Sequence, residues 1–228
     1  MQAGHALKAF RCMVAKDLVC EFRLCRSWPG MLLLGLVLVL LLEMQVDLGT
    51  QEKQQVVSGL LWLDVFFAGT LMVERLLAGE REEGCWRSLL LYPVSPMVVF
   101  FAKVTVTVFA LALLECVLVP ALIVFSNIPL LQRPLYFAAV ALLANLGYAS
   151  VGVVVGALTA QLSHRSSLLP LLLLPLMTPV IMSAGAATRF LVAADLDEQW
   201  WRWVQLLGCF AVAFTTLGAL VFEFVSED

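Results

Sequence analysis

Side chains that could do chemistry are scarce in this sequence and form two groups. The first group is a charged cluster: Glu80, Arg81, Glu82, Glu83 and Arg87. The second consists of single carboxyl groups inside long apolar stretches, chiefly Asp64 and Glu115. A carboxyl group in an apolar span is costly to bury, so it faces protein or water. For Glu115 this leaves two interpretations open, a pathway or interface group and a hydrogen bond between two helices.

The side-chain sets of common enzymes are missing from the sequence. The two histidines, His5 and His164, lie far apart, and no two of the six cysteines have C-x-x-C spacing, so no metal site is predicted. There is no G-x-x-x-x-G-K-[ST] loop, so the chain carries no P-loop ATPase of its own. No catalytic residue is therefore predicted. The net charge of −3 gives no basic field for nucleic acid.

Composition identifies the elements that must position these groups. The chain has 228 residues, of which 62% are hydrophobic and 14% are charged. Its mean hydropathy is +0.96. Soluble domains are about half apolar and about a quarter charged, so a soluble enzyme is excluded. The sequence predicts an all-α, polytopic membrane protein.

Six stretches are long and apolar enough to cross a bilayer, which takes about 20 residues. They lie at about 29–46, 56–78, 96–125, 134–162, 167–188 and 203–224. No linker or internal repeat divides them, so residues 1–228 are predicted to form one transmembrane domain. Span four contains Gly152 and Gly156 as a G-x-x-x-G motif, which favours close packing within the chain or a seam between two copies.

Lysine and arginine residues predict the orientation. With six spans, the side that holds both termini carries Lys8, Arg11, Lys16, Arg23, Arg26, Arg75, Arg81, Arg87, Lys103 and Arg165. The opposite side carries Lys53, Arg133, Arg189 and Arg202. Cytoplasmic loops are enriched in these residues, so both termini are predicted to be cytoplasmic.

The first 28 residues have helical rather than signal-peptide character. Apolar residues recur at steps of three or four: Leu7, Phe10, Val14, Leu18, Phe22 and Cys25. This period predicts an amphipathic helix on the cytoplasmic membrane surface. A cationic leader that only sets the topology is the alternative.

The predicted cytoplasmic loop at residues 79–95 is the most informative segment. Gly84 permits a turn, and Pro93 disfavours helix at the residue before it. Between them we predict a short helix at about 85–92, which carries Trp86, Leu89 and Leu90 next to Arg87. Such a helix could dock a motor subunit, or it could merely pack onto the bundle.

Span five contains three prolines, Pro170, Pro175 and Pro179. Each removes a backbone donor, so this span is predicted to be bent by a static kink or broken into a flexible segment. At the outer end of span six, residues 199–203 read Gln-Trp-Trp-Arg-Trp. They favour an interfacial aromatic belt over a haem platform.

These motifs together resemble the type-2 ABC exporter permeases. The shared pattern is Glu74–Arg75 at the end of span two, then Glu80-x-Glu82-x-Gly84, the block Leu89–Leu91 with Pro93, and Lys103 in span three. Within that superfamily the chain is similar to the CcmB family, through span five with Pro175, Thr178 and Pro179 and through its length.

The resemblance implies a role without enzymatic activity in this chain. Two copies would pair in the bacterial inner membrane with two ATP-binding, CcmA-like subunits that hold ATP and Mg²⁺. The residues it implies in the ATPase contact are Glu80, Arg81, Glu82, Glu83, Gly84, Trp86, Arg87, Leu89, Leu90 and Pro93. Further implied partners are a haem-handling CcmC-like membrane protein, a small CcmD-like subunit and a CcmE-like haem chaperone.

The expected function is to couple ATP hydrolysis on the partner to release of the haem-loaded chaperone, or to haem export. No resident cofactor is expected in this chain. Whether haem passes through it stays open, because no histidine lies in a span core or on the outer side. The alternatives are export of another lipid-like or drug-like substrate and an intramembrane enzyme, and the enzyme lacks its expected acidic or histidine cluster.

Overall fold

The computed structural model describes residues 2–24, 28–45, 50–82, 95–161, 168–194 and 196–227. Within these ranges the chain is all-helical. The helices are α1 Gln2–Leu24, α2 Trp28–Gln45, α3 Thr50–Glu82, α4 Pro96–Ser126, α5 Pro134–Gln161, α6 Leu168–Val192 and α7 Glu198–Glu227. The predicted all-α class is confirmed for the described part of the chain.

Five of these helices, α3 to α7, are long and apolar enough to cross a membrane. Their number and length make this a multi-pass membrane protein. Helix α2 differs from them, because its apolar part among the described residues is the shorter segment Gly30–Leu41.

Short polar and proline signals define the helix ends around the α4–α5 connection. Pro96 and Pro134 each begin a helix, where a missing N–H costs no hydrogen bond. At the end of α4, Asn127 adopts the left-handed conformation with φ of 54°, and its N–H bonds to the Ile123 carbonyl at 3.0 Å. Asparagine tolerates this conformation better than most residues, so α4 stops there.

Helix α5 is the centre of the bundle and contacts α3, α4, α6 and α7. Helix α3 packs mainly on α6, α2 lies against α3 and α4, and α1 lies along α4. Small residues permit the close approaches. A Cβ atom on Gly69 of α3 would lie 2.7 Å from the Tyr148 ring of α5, and one on Gly152 of α5 would lie 3.1 Å from Val73 of α3. Gly152 therefore serves close packing within the chain, which was the first of the two predicted uses of the G-x-x-x-G motif.

Polar side chains join neighbouring helices across the bundle. Trp62 Nε1 of α3 donates to Thr188 Oγ1 of α6 at 2.9 Å. The hydroxyls of Thr70 in α3 and Tyr148 in α5 are 3.0 Å apart. Ser150 of α5 and Thr215 of α7 form a third pair at 2.8 Å. Each bond satisfies polar atoms that lipid could not satisfy.

Several predicted boundaries need correction. Helix α3 continues to Glu82, four residues beyond the predicted end of span two, because the Glu and Arg residues there are good helix formers. The predicted cytoplasmic loop 79–95 therefore begins later, and Glu80, Arg81 and Glu82 belong to the end of α3. Helix α7 begins at Glu198 rather than near residue 203.

The prolines of α6 also differ from prediction. Pro170 is the third residue of α6, in the first turn, where no helical hydrogen bond is lost. It is therefore not a kink residue. Pro175 and Pro179 lie inside the helix, which is continuous from Leu168 to Val192.

Candidate functional site

The end of α3 and the start of α4 flank the segment predicted to contact an ATPase. Helix α3 ends at Glu82 and α4 begins at Pro96. The residues between them that were singled out in the sequence are Glu83, Gly84, Trp86, Arg87, Leu89, Leu90 and Pro93, and they lie outside the described residues. The short helix predicted at about 85–92 lies there too. Glu74, predicted as part of the span-end motif with Arg75, is half-buried in α3.

Lys103 of that motif forms a buried ion pair. Its Nζ atom lies 2.7 Å from Oδ2 of Asp17 in α1, and the two side chains are only 4% and 6% exposed. Lys16 Nζ approaches the other oxygen of Asp17, Oδ1, at 3.1 Å, from a side chain that is 49% exposed. Removing one member of a buried pair leaves an uncompensated charge, so this contact holds α1 against α4.

The pair lies close to the flanked segment. Lys103 follows Pro96 by seven residues, which is about 10 Å along a helix axis. Apolar contacts extend the attachment, because Met13, Val14 and Leu18 of α1 pack against the buried core. Helix α1 is therefore attached to the first part of α4 by both polar and apolar contacts.

Asp17 is a site residue that was not predicted from the sequence, although a signal for it was present. Asp17 lies between Val14 and Leu18, on the side of the predicted amphipathic helix that should be apolar. A carboxylate on such a face needs a cationic partner when it is buried. That partner could not be identified from the sequence, because Lys103 is 86 residues away.

Among the acidic side chains that the structure describes, Asp64 has the smallest exposed fraction. It is 2% exposed, and neither carboxyl oxygen has a hydrogen-bond partner among the described residues. A Cβ atom on Gly35 of α2 would lie 3.2 Å from Asp64 Oδ2 and 2.7 Å from Leu118 of α4. Asp64 therefore lies where α2, α3 and α4 meet, and the glycine makes room for it.

Glu115 occupies a different environment, between α4 and α5. Its side chain is 6% exposed and lies beside the side chain of Asn145, which is 1% exposed. Glu115 thus faces a polar side chain of α5, and both interpretations of it stay predictions. Two acceptors of this pair, Glu115 Oε1 and Asn145 Oδ1, have no partner among the described residues.

The Glu115–Asn145 pair lies in an apolar groove of about 430 Å³ between α4 and α5. Val108, Val119, Phe137 and Ala141 contribute to its walls, and Leu131 of the α4–α5 connection lies at one end. Asp64 is not among its lining residues. The two intramembrane carboxyl groups predicted from the sequence therefore belong to separate places.

The tryptophans at the start of α7 lie in two different environments. Trp200 is 2% exposed and packs edge-on against Tyr136 of α5, with ring centroids 5.3 Å apart. Trp201 is 53% exposed, as a residue of an interfacial belt would be. Trp200 therefore belongs to the core, which corrects the belt interpretation for that residue.

No group of three or more His, Cys, Asp or Glu side chains that could hold a metal ion occurs within the described ranges.

Comparison with known proteins decides the family. The family model for the CcmB protein matches residues 8–224. The chain belongs to the CcmB family. This confirms the resemblance drawn from the loop and span-five motifs. A curated relative, heme exporter protein B of Pseudomonas aeruginosa, is 24% identical over 206 residues, which is 90% of this chain and 92% of the relative.

The CcmB match extends across the parts described above. It begins inside α1, before Asp17, and ends inside α7, so it includes the Asp17–Lys103 pair and the α4–α5 groove. Helix α1 is thus part of what the family model covers.

Proposed function

We propose that this CcmB-family chain is the membrane subunit of an ATP-driven complex for haem delivery in cytochrome c maturation. The observation that carries the proposal is the family match over residues 8–224. The name of the Pseudomonas aeruginosa relative, heme exporter protein B, supports haem as the cargo of the complex. In this proposal the work consists of releasing the haem-loaded chaperone or exporting haem.

The chain itself is proposed to hydrolyse nothing. A CcmA-like subunit binds ATP and Mg²⁺ and contacts residues 80–93, and a second copy of the chain pairs with a second ATPase. CcmC-like, CcmD-like and CcmE-like proteins complete the complex. Closure of the ATPase subunits pushes the segment between α3 and α4, and the buried Asp17–Lys103 pair supports this role because it ties α1 to the moving end of α4.

Six spans and cytoplasmic termini are part of the proposal. Helix α2 has 18 residues, and its apolar part packs against α3 and α4, which supports a sixth crossing. Helix α1 then lies on the cytoplasmic surface of the inner membrane, with exposed Lys8 and Arg11 directed to anionic head groups. Cys12 of α1 is exposed and offers a topological test. A membrane-impermeant maleimide should label it in inverted vesicles and spare it in intact spheroplasts, and the reverse pattern would refute this orientation.

Co-purification tests the ATPase contact. The double charge reversal Glu82→Lys with Glu83→Lys should reduce recovery of the CcmA-like subunit by about tenfold, the loss produced by roughly 1.4 kcal/mol of unfavourable like-charge contact. The matched control is Glu198→Lys at the other end of the bundle, where the glutamate side chain is 83% exposed. Undiminished recovery with the double variant would contradict the proposed contact.

A further inference from the structure

Helix α2 is attached to the bundle along one narrow line of residues. Within its described segment 30–41, the buried residues lie four positions apart: Met31, Gly35 and Val39. The opposite side of the same helix is exposed, at Leu33, Val37 and Leu41. The three buried residues form the seam of α2, and through this seam the helix packs against α3 and α4.

Polar side chains do not reinforce this seam. Each of the other described helices has a polar contact with a neighbour: the Asp17–Lys103 pair joins α1 to α4, and hydrogen bonds join α3 to α5, α3 to α6 and α5 to α7. In α2, no side chain of residues 30–41 carries an N–H or O–H group. Helices in lipid are held together by packing and hydrogen bonds, because lipid tails are as apolar as leucine. Helix α2 has packing alone.

Asp64 of α3 lies directly beneath the seam. A Cβ atom on Gly35 would lie 3.2 Å from Asp64 Oδ2 and 3.3 Å from Oδ1, so the carboxyl group faces the α2 backbone at close range. Both oxygens are enclosed and have no hydrogen-bond partner among the described residues. Leu118, the neighbour from α4, offers no donor either. The packing of α2 over Asp64 therefore encloses a polar group without satisfying it, which costs free energy.

We propose that α2 is a movable gate over Asp64. The gate opens where the seam separates from α3 and α4, and it makes the carboxyl group accessible from the membrane. Opening gives up the contacts of one line of residues, and closing gains no polar partner, so the closed state is only weakly favoured. Elements with few buried contacts are the ones that open locally. This gate is separate from the proposed ATPase contact and does not depend on it.

Carbodiimide labelling measures access to Asp64. The full chain is placed in phosphatidylcholine nanodiscs and treated with dicyclohexylcarbodiimide, an apolar reagent that adds as a whole to a carboxylic acid and leaves an N-acylurea. Peptide mass spectrometry follows the gain in mass at Asp64 over time. Glu115 lines the groove between α4 and α5, away from the seam, so its labelling is the internal reference. Asp64 should be labelled, although it is enclosed in the closed state.

Two glycine variants test whether the seam controls this access. Gly35→Ala places a Cβ atom 2.7 Å from Leu118 and should raise Asp64 labelling relative to Glu115 by about tenfold. That factor corresponds to about 1.4 kcal/mol of overpacking in the closed state. Gly208→Ala of α7 is the matched control, because its Cβ atom would have nothing within 4 Å. It should leave the ratio unchanged. Equal ratios in the two variants would overturn the proposal.

A pair of cysteine variants tests whether α2 itself moves. Val39→Cys places a thiol in the seam, and Val37→Cys places one on the exposed side of the same helix. An apolar maleimide should label position 39 more slowly than position 37, and adding Gly35→Ala should speed labelling at position 39 about tenfold, as for Asp64. Labelling of Asp64 with a fully protected thiol at position 39 would show another route to the carboxyl group and refute the gate. Absence of Asp64 labelling in every variant would refute it as well.

Discussion

Helix α4 carries two buried ionisable residues whose surroundings are opposite. Lys103 has a counter-charge from α1 at 2.7 Å and is closed off from the surface. Glu115 has a neutral amide as its neighbour, retains an unpartnered oxygen, and lines the groove between α4 and α5. The comparison shows that burial alone does not indicate what a polar residue does. A charge that is paired favours a structural joint, whereas a buried acceptor without a partner costs stability.

The largest expected effect concerns the satisfied site. Lys103→Met should destabilise the bundle by about 3–5 kcal/mol, because it leaves the Asp17 carboxylate buried without its main counter-charge. Thermal unfolding in detergent would measure this loss. The double variant Lys103→Met with Asp17→Leu should recover most of it, since two apolar side chains can replace a buried pair at little net cost.

Lys16→Ala is the matched control for this pair. Lys16 contacts the same carboxylate but is 49% exposed, so water already screens the interaction. The expected loss is at most about 1 kcal/mol. Equal losses for Lys16→Ala and Lys103→Met would contradict the distinction between the exposed and the buried contact.

The groove should respond with the opposite sign. The double variant Glu115→Met with Asn145→Leu removes two buried acceptors that lack partners and should raise stability by about 1–2 kcal/mol. Thermal unfolding in detergent would measure this gain. A destabilisation similar to that of Lys103→Met would show that the pair is a structural joint.

A neutral hydrogen bond between helices should have the smallest effect on the free energy of unfolding. It provides a reference value for the two larger effects. The coupling energy between Trp62→Phe and Thr188→Val in a double-mutant cycle should be about 0.6 kcal/mol, with an upper value near 1.7 kcal/mol, as found for such bonds in membrane bundles. The cycle is needed because Trp62 is buried, so Trp62→Phe alone also removes core volume. If the coupling energy matched the loss of Lys103→Met, the neutral contact would have to be classed with the ion pair.

The sequence by itself determined the class of the protein and its family. In lipid the backbone N–H and C=O groups must form hydrogen bonds within the protein, and a long apolar run does this as a helix. The all-α bundle therefore follows from composition. The motifs around residues 74–103 and in span five sufficed for the CcmB resemblance. The residues of each motif are close in sequence, so the motif can be recognised without knowing the fold. Lys103 was singled out as part of the same motif, but its partner Asp17 could not be predicted from the sequence.

Only the tertiary structure decided which polar groups meet. Asp17 and Lys103 are 86 residues apart, and the pairing of α1 with α4 brings them together. Glu115 and Asn145 pair because α4 and α5 lie side by side, while Asp64 is left at the junction with α2. In α4 and α5 the hydrophobic pattern has no clear period, so it cannot indicate which face turns inward. Side-chain packing and the scarce polar contacts fix that rotation, and with it the position of the groove.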